Sequence, residues 1–321
     1  MKYPMGVRAR AAYLISSRRQ TAFEERDRKL DFIQQEHSKV AKLKKEVDRA
    51  NFLYSHALYL GEDTKELKER ADVLQRNLDA QLREIGLDLT PPFTCPVCED
   101  RGKVDGKYCT CMKQLMNRII REQLSDPYQS DQYTFDTFDL DLCEPAARPV
   151  MGRILQAAKG YAERFARTNA SLLFLGATGL GKTHLSLAIA QKVADTGHPV
   201  IYASAPRLLG RLESAKFKDD PEAEAYRQAV YSCDLLVVDD LGAEMGTRYT
   251  QAEVYDLINA RLNETLATII NTNLTPEEIS ARYTDRVLSR LVGAYTVVSF
   301  KGKDVRIKKR LEGNGRRHKD G

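Results

Sequence analysis

Residues 171–183 read Ser-Leu-Leu-Phe-Leu-Gly-Ala-Thr-Gly-Leu-Gly-Lys-Thr. The first five form a short apolar run, which predicts a strand over Ser171–Leu175 buried on both faces. The run leads directly into Gly176-Ala177-Thr178-Gly179-Leu180-Gly181-Lys182-Thr183, which fits the pattern G-x-x-x-x-G-K-[ST] without departure. A helix-competent stretch, His184–Thr196, runs out of it. The residue types explain themselves chemically. Glycines let the backbone curl so that successive N–H groups face inward and cradle phosphate oxygens. The N-terminus of the following helix adds its positive dipole end. Lys182 can reach the β- and γ-phosphates, and the Thr183 hydroxyl can hold Mg²⁺. The expected ligand is therefore ATP with Mg²⁺.

Further along, Leu235-Leu236-Val237-Val238 ends in Asp239-Asp240. A buried strand ends at the carboxyl edge of its sheet, where ligands collect in open α/β sheets. Asp239 is expected to hold Mg²⁺ through its water shell, and Asp240 to orient or deprotonate the attacking water. Another apolar run, Thr268-Ile269-Ile270-Asn271-Thr272-Asn273, follows. A polar tip on a strand lying between the two motif strands can hydrogen-bond the γ-phosphate or the water; Asn273 is the first candidate and Asn271 the second. Asp285-Arg286-Val-Leu-Ser-Arg290 and Asp304-Val-Arg306 supply arginines. An arginine presented to the nucleotide of a neighbouring subunit stabilises the charge of the transition state. Arg286 and Arg290 share a helical face, so a surface ion pair is an equally good reading of either. From about Val150, strands at Ser171–Leu175, Pro199–Ala203, Asp234–Val238, Ala267–Thr272 and Ala294–Phe300 alternate with helical stretches. That alternation implies an α/β fold with a parallel sheet covered on both faces.

Upstream, four of the six cysteines cluster as Cys95-Pro-Val-Cys98 and Cys109-Thr-Cys111. The first half is a standard zinc knuckle, and the second is tighter than the usual C-x-x-C. Gly102 and Gly106 let the loop turn back between them. Four thiolates around one structural Zn²⁺ is the reading, since so short a segment has little core of its own. Before it, Leu30, Ile33, Val40, Leu43 and Val47 recur at helical spacing within a highly charged stretch from about Glu24 to Leu60. After Gly61, Asp63 and Glu66 suggest a capping box. Leu67, Ala71, Leu74, Leu78, Leu82 and Ile85 then form a second stripe, ended by Gly86 and Pro91-Pro92. The pattern predicts an antiparallel helical hairpin that serves as a docking arm. A helix is expected from Lys113 to Leu124. Ser125–Pro149 is read as a linker packed on the next domain through Phe135 and Phe138.

The chain has 321 residues and a net charge of +5. It holds no apolar run long enough to cross a bilayer, and its basic start lacks the apolar core of a secretory signal. The expected location is cytoplasmic. Positive charge gathers in Lys301–Gly321, which reads as a solvated tail or as a phosphate contact for nucleic acid. The organisation expected is a helical arm (1–92), a zinc-binding module with its following helix (93–124), a linker (125–149), the ATPase domain (150–310) and a disordered basic tail (311–321).

Taken together these residues resemble the DnaC/DnaI family of bacterial replicative-helicase loaders, AAA+ ATPases related to the transposase helper IstB. The resemblance covers about Val150–Lys309 and extends to the cysteine module. It implies an AAA+ P-loop parallel sheet with flanking helices. Lys182 and Thr183 match the phosphate-loop pair, Asp239-Asp240-Leu-Gly-Ala-Glu244 the acidic strand end and its turn, and Asn273 the first sensor. Arg286 matches the arginine finger and Arg306 the second sensor. The partners it implies are a replicative ring helicase gripped by the arm, single-stranded DNA and further copies of the chain. The sequence departs from the general AAA+ pattern at Asp240, where glutamate is usual; the shorter side chain suggests slow hydrolysis, suited to a switch. A transposase helper has the same ATPase and a different client. A small-molecule kinase needs an acceptor pocket and lid for which no segment is available. A zinc protein with a vestigial nucleotide site is opposed by intact Lys182, Thr183 and Asp239.

Overall fold

The computed structural model describes residues 3–127, 132–168 and 170–305; Arg306 and the basic tail 311–321 lie outside the described residues. The chain forms two compact units. One is Ala12–Cys109, and the other combines the residues up to Ala11 with those from Thr110 onward.

The charged N-terminal part is helical from much nearer its start than Glu24. It forms α1 (Met5–Glu36), α2 (Ser38–Leu60) and α3 (Lys65–Glu84). Val7, Ala11, Ile15 and Ala22 are buried on α1. Their spacing is helical, but two of the four are small alanines set among arginines, which weakens the periodic signal. The stripe from Leu30 to Val47 crosses a break at His37, whose backbone (φ −128°, ψ 64°) leaves the helical region. The hairpin itself is formed by α2 and α3. Val40 and Val47 from one helix and Leu78 and Leu82 from the other are buried in a common seam that also takes Ile33. Gly61 (φ +73°) closes α2, its N–H reaching the carbonyls of Ala57 and Leu58. The capping box does not form: Thr64 is the N-cap, and Asp63 instead accepts from the Lys65 N–H at 3.1 Å. A two-stranded hairpin follows, β1 (Lys103–Val104) and β2 (Lys107–Tyr108), turning on Asp105 and Gly106.

In the second unit α4 (Thr110–Gln123) and α5 (Arg148–Glu163) precede the sheet. Then come β3 (Ser171–Leu175), α6 (Lys182–Asp195), β4 (Val200–Ser204), α7 (Ala205–Phe217) and α8 (Pro221–Ser232). The remainder is β5 (Leu235–Leu241), α9 (Arg248–Asn263), β6 (Ala267–Thr272), α10 (Pro276–Tyr283), α11 (Asp285–Ala294) and β7 (Tyr295–Ser299). The sheet is parallel throughout, in the order β4-β5-β6-β3-β7, the parallel sheet with flanking helices that the resemblance implies. β6 thus lies between the acid-ended strand and the strand of the phosphate loop. Alternation within the apolar runs divides the core. Leu235, Val237, Ala267 and Ile269 pack with α5 and α6, while Val238 and Ile270 face α7 and α9. That two-sided burial is why the runs are apolar without polar alternation. Phe135 and Phe138 pack against the α5–α6 side. The outer edge of β4 is covered by Ser125 and Asp126: the Asp126 N–H donates to Tyr202 O at 2.8 Å, and the Ser204 N–H to Asp126 Oδ2 at 2.9 Å.

The α7–α9 side holds Arg261, with no exposed surface. Its guanidinium donates to Thr268 Oγ1 (2.9 Å) and to the carbonyls of Val230 (2.7 Å), Cys233 (3.1 Å) and Ala267 (2.6 Å). One side chain thus joins α9 to the end of α8 and the beginning of β6.

Candidate functional site

The loop 176–181 requires glycine where the backbone turns. Gly176 has φ +147°, and a Cβ there would lie 2.6 Å from Phe300 O. Gly181 caps α6 with φ +89°, and its Cβ would lie 2.8 Å from the Phe138 ring. Both sites are closed to side chains by conformation and by contact. α6 begins at Lys182 and so presents its first-turn N–H groups at the end of the loop. Lys182 is buried, and its ammonium donates to Gly176 O (2.6 Å), Ala177 O (2.7 Å) and Asn273 Oδ1 (2.6 Å). Asn273 therefore sits at the lysine, just past the end of β6. Asn271 lies deeper, fully buried, donating to Asp239 Oδ1 (2.7 Å) and Ser186 Oγ (2.8 Å).

The two consecutive acids are separated by an irregularity in the sheet. Val238 pairs with Ile270 and Leu241 with Thr272, so β5 carries an extra residue there. Asp240 takes the left-handed conformation (φ +53°), open to aspartate more readily than to most residues. The result is a buried Asp239 and an exposed Asp240 that lines the cleft. Asp239 accepts from Thr183 Oγ1 (3.1 Å), from Asn271 and from the Tyr202 hydroxyl (2.7 Å). Burial, and then the charge of Asp239, push the Tyr202 phenol upward, so it stays a donor. All three donors are uncharged, and among the described residues no lysine or arginine forms an ion pair with Asp239. A buried carboxylate beside a threonine hydroxyl, and in no ion pair among the described residues, fits a divalent cation such as Mg²⁺.

These groups border a cleft of about 580 Å³, lined by Thr178–Thr183, Asp240 and Asn273. Its other wall comes from the segment read as a linker. Tyr133 and Phe138 meet the His184 ring edge-on at 5.4 and 5.1 Å, and His184 Nε2 donates to Thr134 O at 2.8 Å. That wall and Tyr202 are what sequence reasoning missed. An aromatic segment far from the loop in sequence carries no sign that it folds over it. Arg286 is exposed on α11 and does not line this cleft; Arg290, on the same helix, is also exposed. Arg306 lies outside the described residues.

The sulfurs of Cys95, Cys98, Cys109 and Cys111 all lie within 4.8 Å of one another, and none is in a disulfide. A tetrahedral site with Zn–S bonds of about 2.3 Å has sulfurs about 3.8 Å apart, and Cys95 and Cys109 are 3.8 Å apart. The local chain is built for this. Asp100, buried, accepts from the N–H groups of Thr94 (2.8 Å) and Cys95 (3.0 Å), and the Gly102 N–H points at Cys98 Sγ (3.3 Å). Asp105 and Gly106 both have positive φ, as a two-residue hairpin turn demands, and the hairpin returns the chain to Cys109. The donor set fits a closed tetrahedral metal site. Phe23 and Phe93 pack edge-on beside it with Arg19 over both rings.

The family of IstB-like ATP binding proteins matches residues 131–313. The replicative helicase loader DnaC of Escherichia coli K12 is 26% identical over 137 residues, which is 43% of this chain and 56% of that protein. The chain thus spans little more than half the length of such curated relatives. Among solved structures, that of the DnaC helicase loader aligns with 55% of this chain and all of its own (21% identity, TM-score 0.48). DnaI aligns with 59% of this chain and all of its own (20% identity, TM-score 0.45).

Proposed function

This chain belongs to the family of IstB-like ATP binding proteins, and from that premise we propose that it is an ATP-hydrolysing loader that delivers a replicative ring helicase to single-stranded DNA. The observation that carries the ATPase half is the convergence in one cleft of Lys182, the Thr183–Asp239 pair and Asn273. The loop N–H groups, from Gly176 through Thr183, and the Lys182 ammonium bind the phosphates. Thr183 and Asp239 hold Mg²⁺, which supplies charge neutralisation at the phosphoryl group when bound. Asp240 orients the attacking water and accepts its proton, with a short side chain that keeps turnover slow. Asn273 fixes the γ-phosphate. Arg286 acts on the site of a neighbouring copy, and Arg306 is the expected second sensor. The loader works in the cytoplasm, where its helicase and DNA are. Among the described residues no helix is long and apolar enough to cross a membrane.

The loader half rests on the named function of the relatives and on the arm. Toward the end of α2, Phe52, Leu58 and Tyr59 are exposed, Tyr59 at 88% and Phe52 at 67%. Large apolar side chains so exposed at the end of a helical hairpin suit a protein partner better than water. Native mass analysis of the full chain mixed with the ring helicase of the same cell, with and without ATP, tests this. A defined complex is expected, lost in Phe52→Asp and Tyr59→Asp. No complex with the intact chain would point to the transposase-helper alternative, with a transposase as the next partner to try.

We assign Zn²⁺ to the four thiols. Protein never exposed to chelator is expected to carry one zinc per chain, and Cys98→Ser to lose most of it. Metal analysis of both proteins checks this, and substoichiometric zinc in the intact chain counts against the assignment.

A further inference from the structure

Glu244 has a buried carboxylate with a role in neither phosphate nor metal binding. It closes the turn that begins at Asp240. The Gly242 N–H donates to Glu244 Oε2 at 3.0 Å, and the Ala243 N–H donates to Asp240 O at 3.0 Å. The same turn is tied to the exit of β6, since Thr272 Oγ1 donates to Leu241 O at 2.6 Å and accepts from the Leu274 N–H at 3.1 Å. Gly242 (φ +108°) leaves no room for a side chain, because a Cβ there would lie 2.6 Å from Leu274. Asp240, the turn and the segment leading to Asn273 are therefore tied by direct contacts.

The other side of Glu244 faces the end of α10. Arg282 Nε lies 3.2 Å from Glu244 Oε1, the Tyr283 hydroxyl donates to the same oxygen, and Arg282 Nη2 donates to Glu244 O. Gln251 on α9 holds the Arg282 carbonyl at 2.7 Å. Burial and the Glu244 carboxylate push the Tyr283 phenol upward, so it remains a donor. Immediately after Tyr283 comes Thr284, with φ +91° and ψ 155°, a backbone region nearly reserved for glycine and unfavourable for a β-branched residue. Asp285 then opens α11, and Arg286 is its second residue. The chain between the Glu244 contacts and the arginine's helix is thus one strained residue long.

We propose that Glu244 is a positioning residue that couples the acid-bearing turn of one subunit's nucleotide site to α11, and so sets how Arg286 is presented to the neighbouring subunit. This rests on the ATPase reading above, with Arg286 acting across a subunit contact. A bridge that only held α10 in place would affect the folding of its own subunit and nothing next door.

Mixed assemblies separate the two. Glu244→Gln keeps the shape and removes the charge paired with Arg282. Affinity for a fluorescent ATP analogue is expected to stay within about threefold of the parent, while assembly-dependent kcat falls about tenfold with KM unchanged, inside the usual range of coupling between sites. Mixed with Lys182→Ala, the variant is expected to regain hydrolysis, because the lysine variant lends it a correctly held Arg286. Mixed with Arg286→Ala, it is expected to stay inactive, because no subunit then presents a working arginine. Recovery with Arg286→Ala but not with Lys182→Ala would overturn the proposal and place Glu244 in its own subunit's site. Full activity of Glu244→Gln alone would overturn it equally. If Glu244→Gln loses nucleotide binding through misfolding, Tyr283→Phe, which removes one donor, carries the same mixing test. Controls distinguish a deeper failure: an Arg286→Ala protein with normal hydrolysis would remove the ATPase reading's arginine, and this proposal with it.

Discussion

Lys182→Ala is expected to abolish ATP hydrolysis and to weaken nucleotide binding. The ammonium is buried among the loop carbonyls of Gly176 and Ala177 and the amide oxygen of Asn273. These three acceptors take all three N–H bonds of the ammonium at the wall of the cleft, so an arriving phosphate oxygen replaces one of them. A charged hydrogen bond of this kind contributes about 1.5–3 kcal/mol, which converts to roughly 10- to 100-fold in affinity. The effect on turnover is larger, because charge accumulates on the transferred group in the transition state. Loss of one aimed donor typically costs about 10²–10³ in kcat. Binding of a fluorescent ATP analogue and phosphate release, each with a thermal melt of the same protein, check it. Parent-level hydrolysis with an unchanged melt would mean that the cleft is not the site of chemistry.

The second large effect concerns stability. Arg261→Ala would remove the guanidinium donor from the carbonyls of Val230, Cys233 and Ala267 and from the Thr268 hydroxyl, leaving Val230 O with the weak Cys233 thiol, in a region with no exposed surface at the arginine. Each unpaired buried group costs about 1–3 kcal/mol. Water entering the cavity recovers part of that, so the expected loss is roughly 3–5 kcal/mol. For a unit of this size the melting temperature should fall by about 10 °C, at about 2–4 °C per kcal/mol. Arg261→Met fills most of the volume and supplies no donor, so it should recover only a minor part. Urea unfolding of the three proteins decides it. A methionine variant as stable as the parent would show that packing, rather than the hydrogen bonds, is what the arginine contributes.

Several elements of this chain are legible in its residues alone. The loop 176–183 and Asp239-Asp240 are local patterns, and local chemistry dictates them: phosphate needs converging N–H groups, and only a glycine-rich turn leading into a helix supplies them over so few residues. The central strands can be read because a strand buried on both faces is apolar through most of its length; β7, at the sheet edge, is buried mainly at Tyr295. The thiol pairs can be read because metal ligands in a small module cluster in sequence. Cysteine spacing also places Gly106 at the turn where the hairpin needs positive φ.

Other features depend on contacts between segments distant in sequence. The wall formed by Tyr133, Phe138 and His184 exists because residues 132–143 fold over the phosphate loop, and no periodic signal in them says so. Tyr202 reaches Asp239 because strand order sets Ser204 beside Asp239, a register invisible in either strand alone. Asn273 takes its place at Lys182 because β6 lies between β5 and β3. Glu244 and Arg261 look like surface charges on ordinary turns and helices; only the packing of α8, α9 and α10 buries them. By itself the sequence determined the chemistry on offer, since each motif's function is written in bonds within a few residues. Tertiary structure alone decided which of those groups meet and which charges are hidden, because burial and register are properties of the whole packed chain.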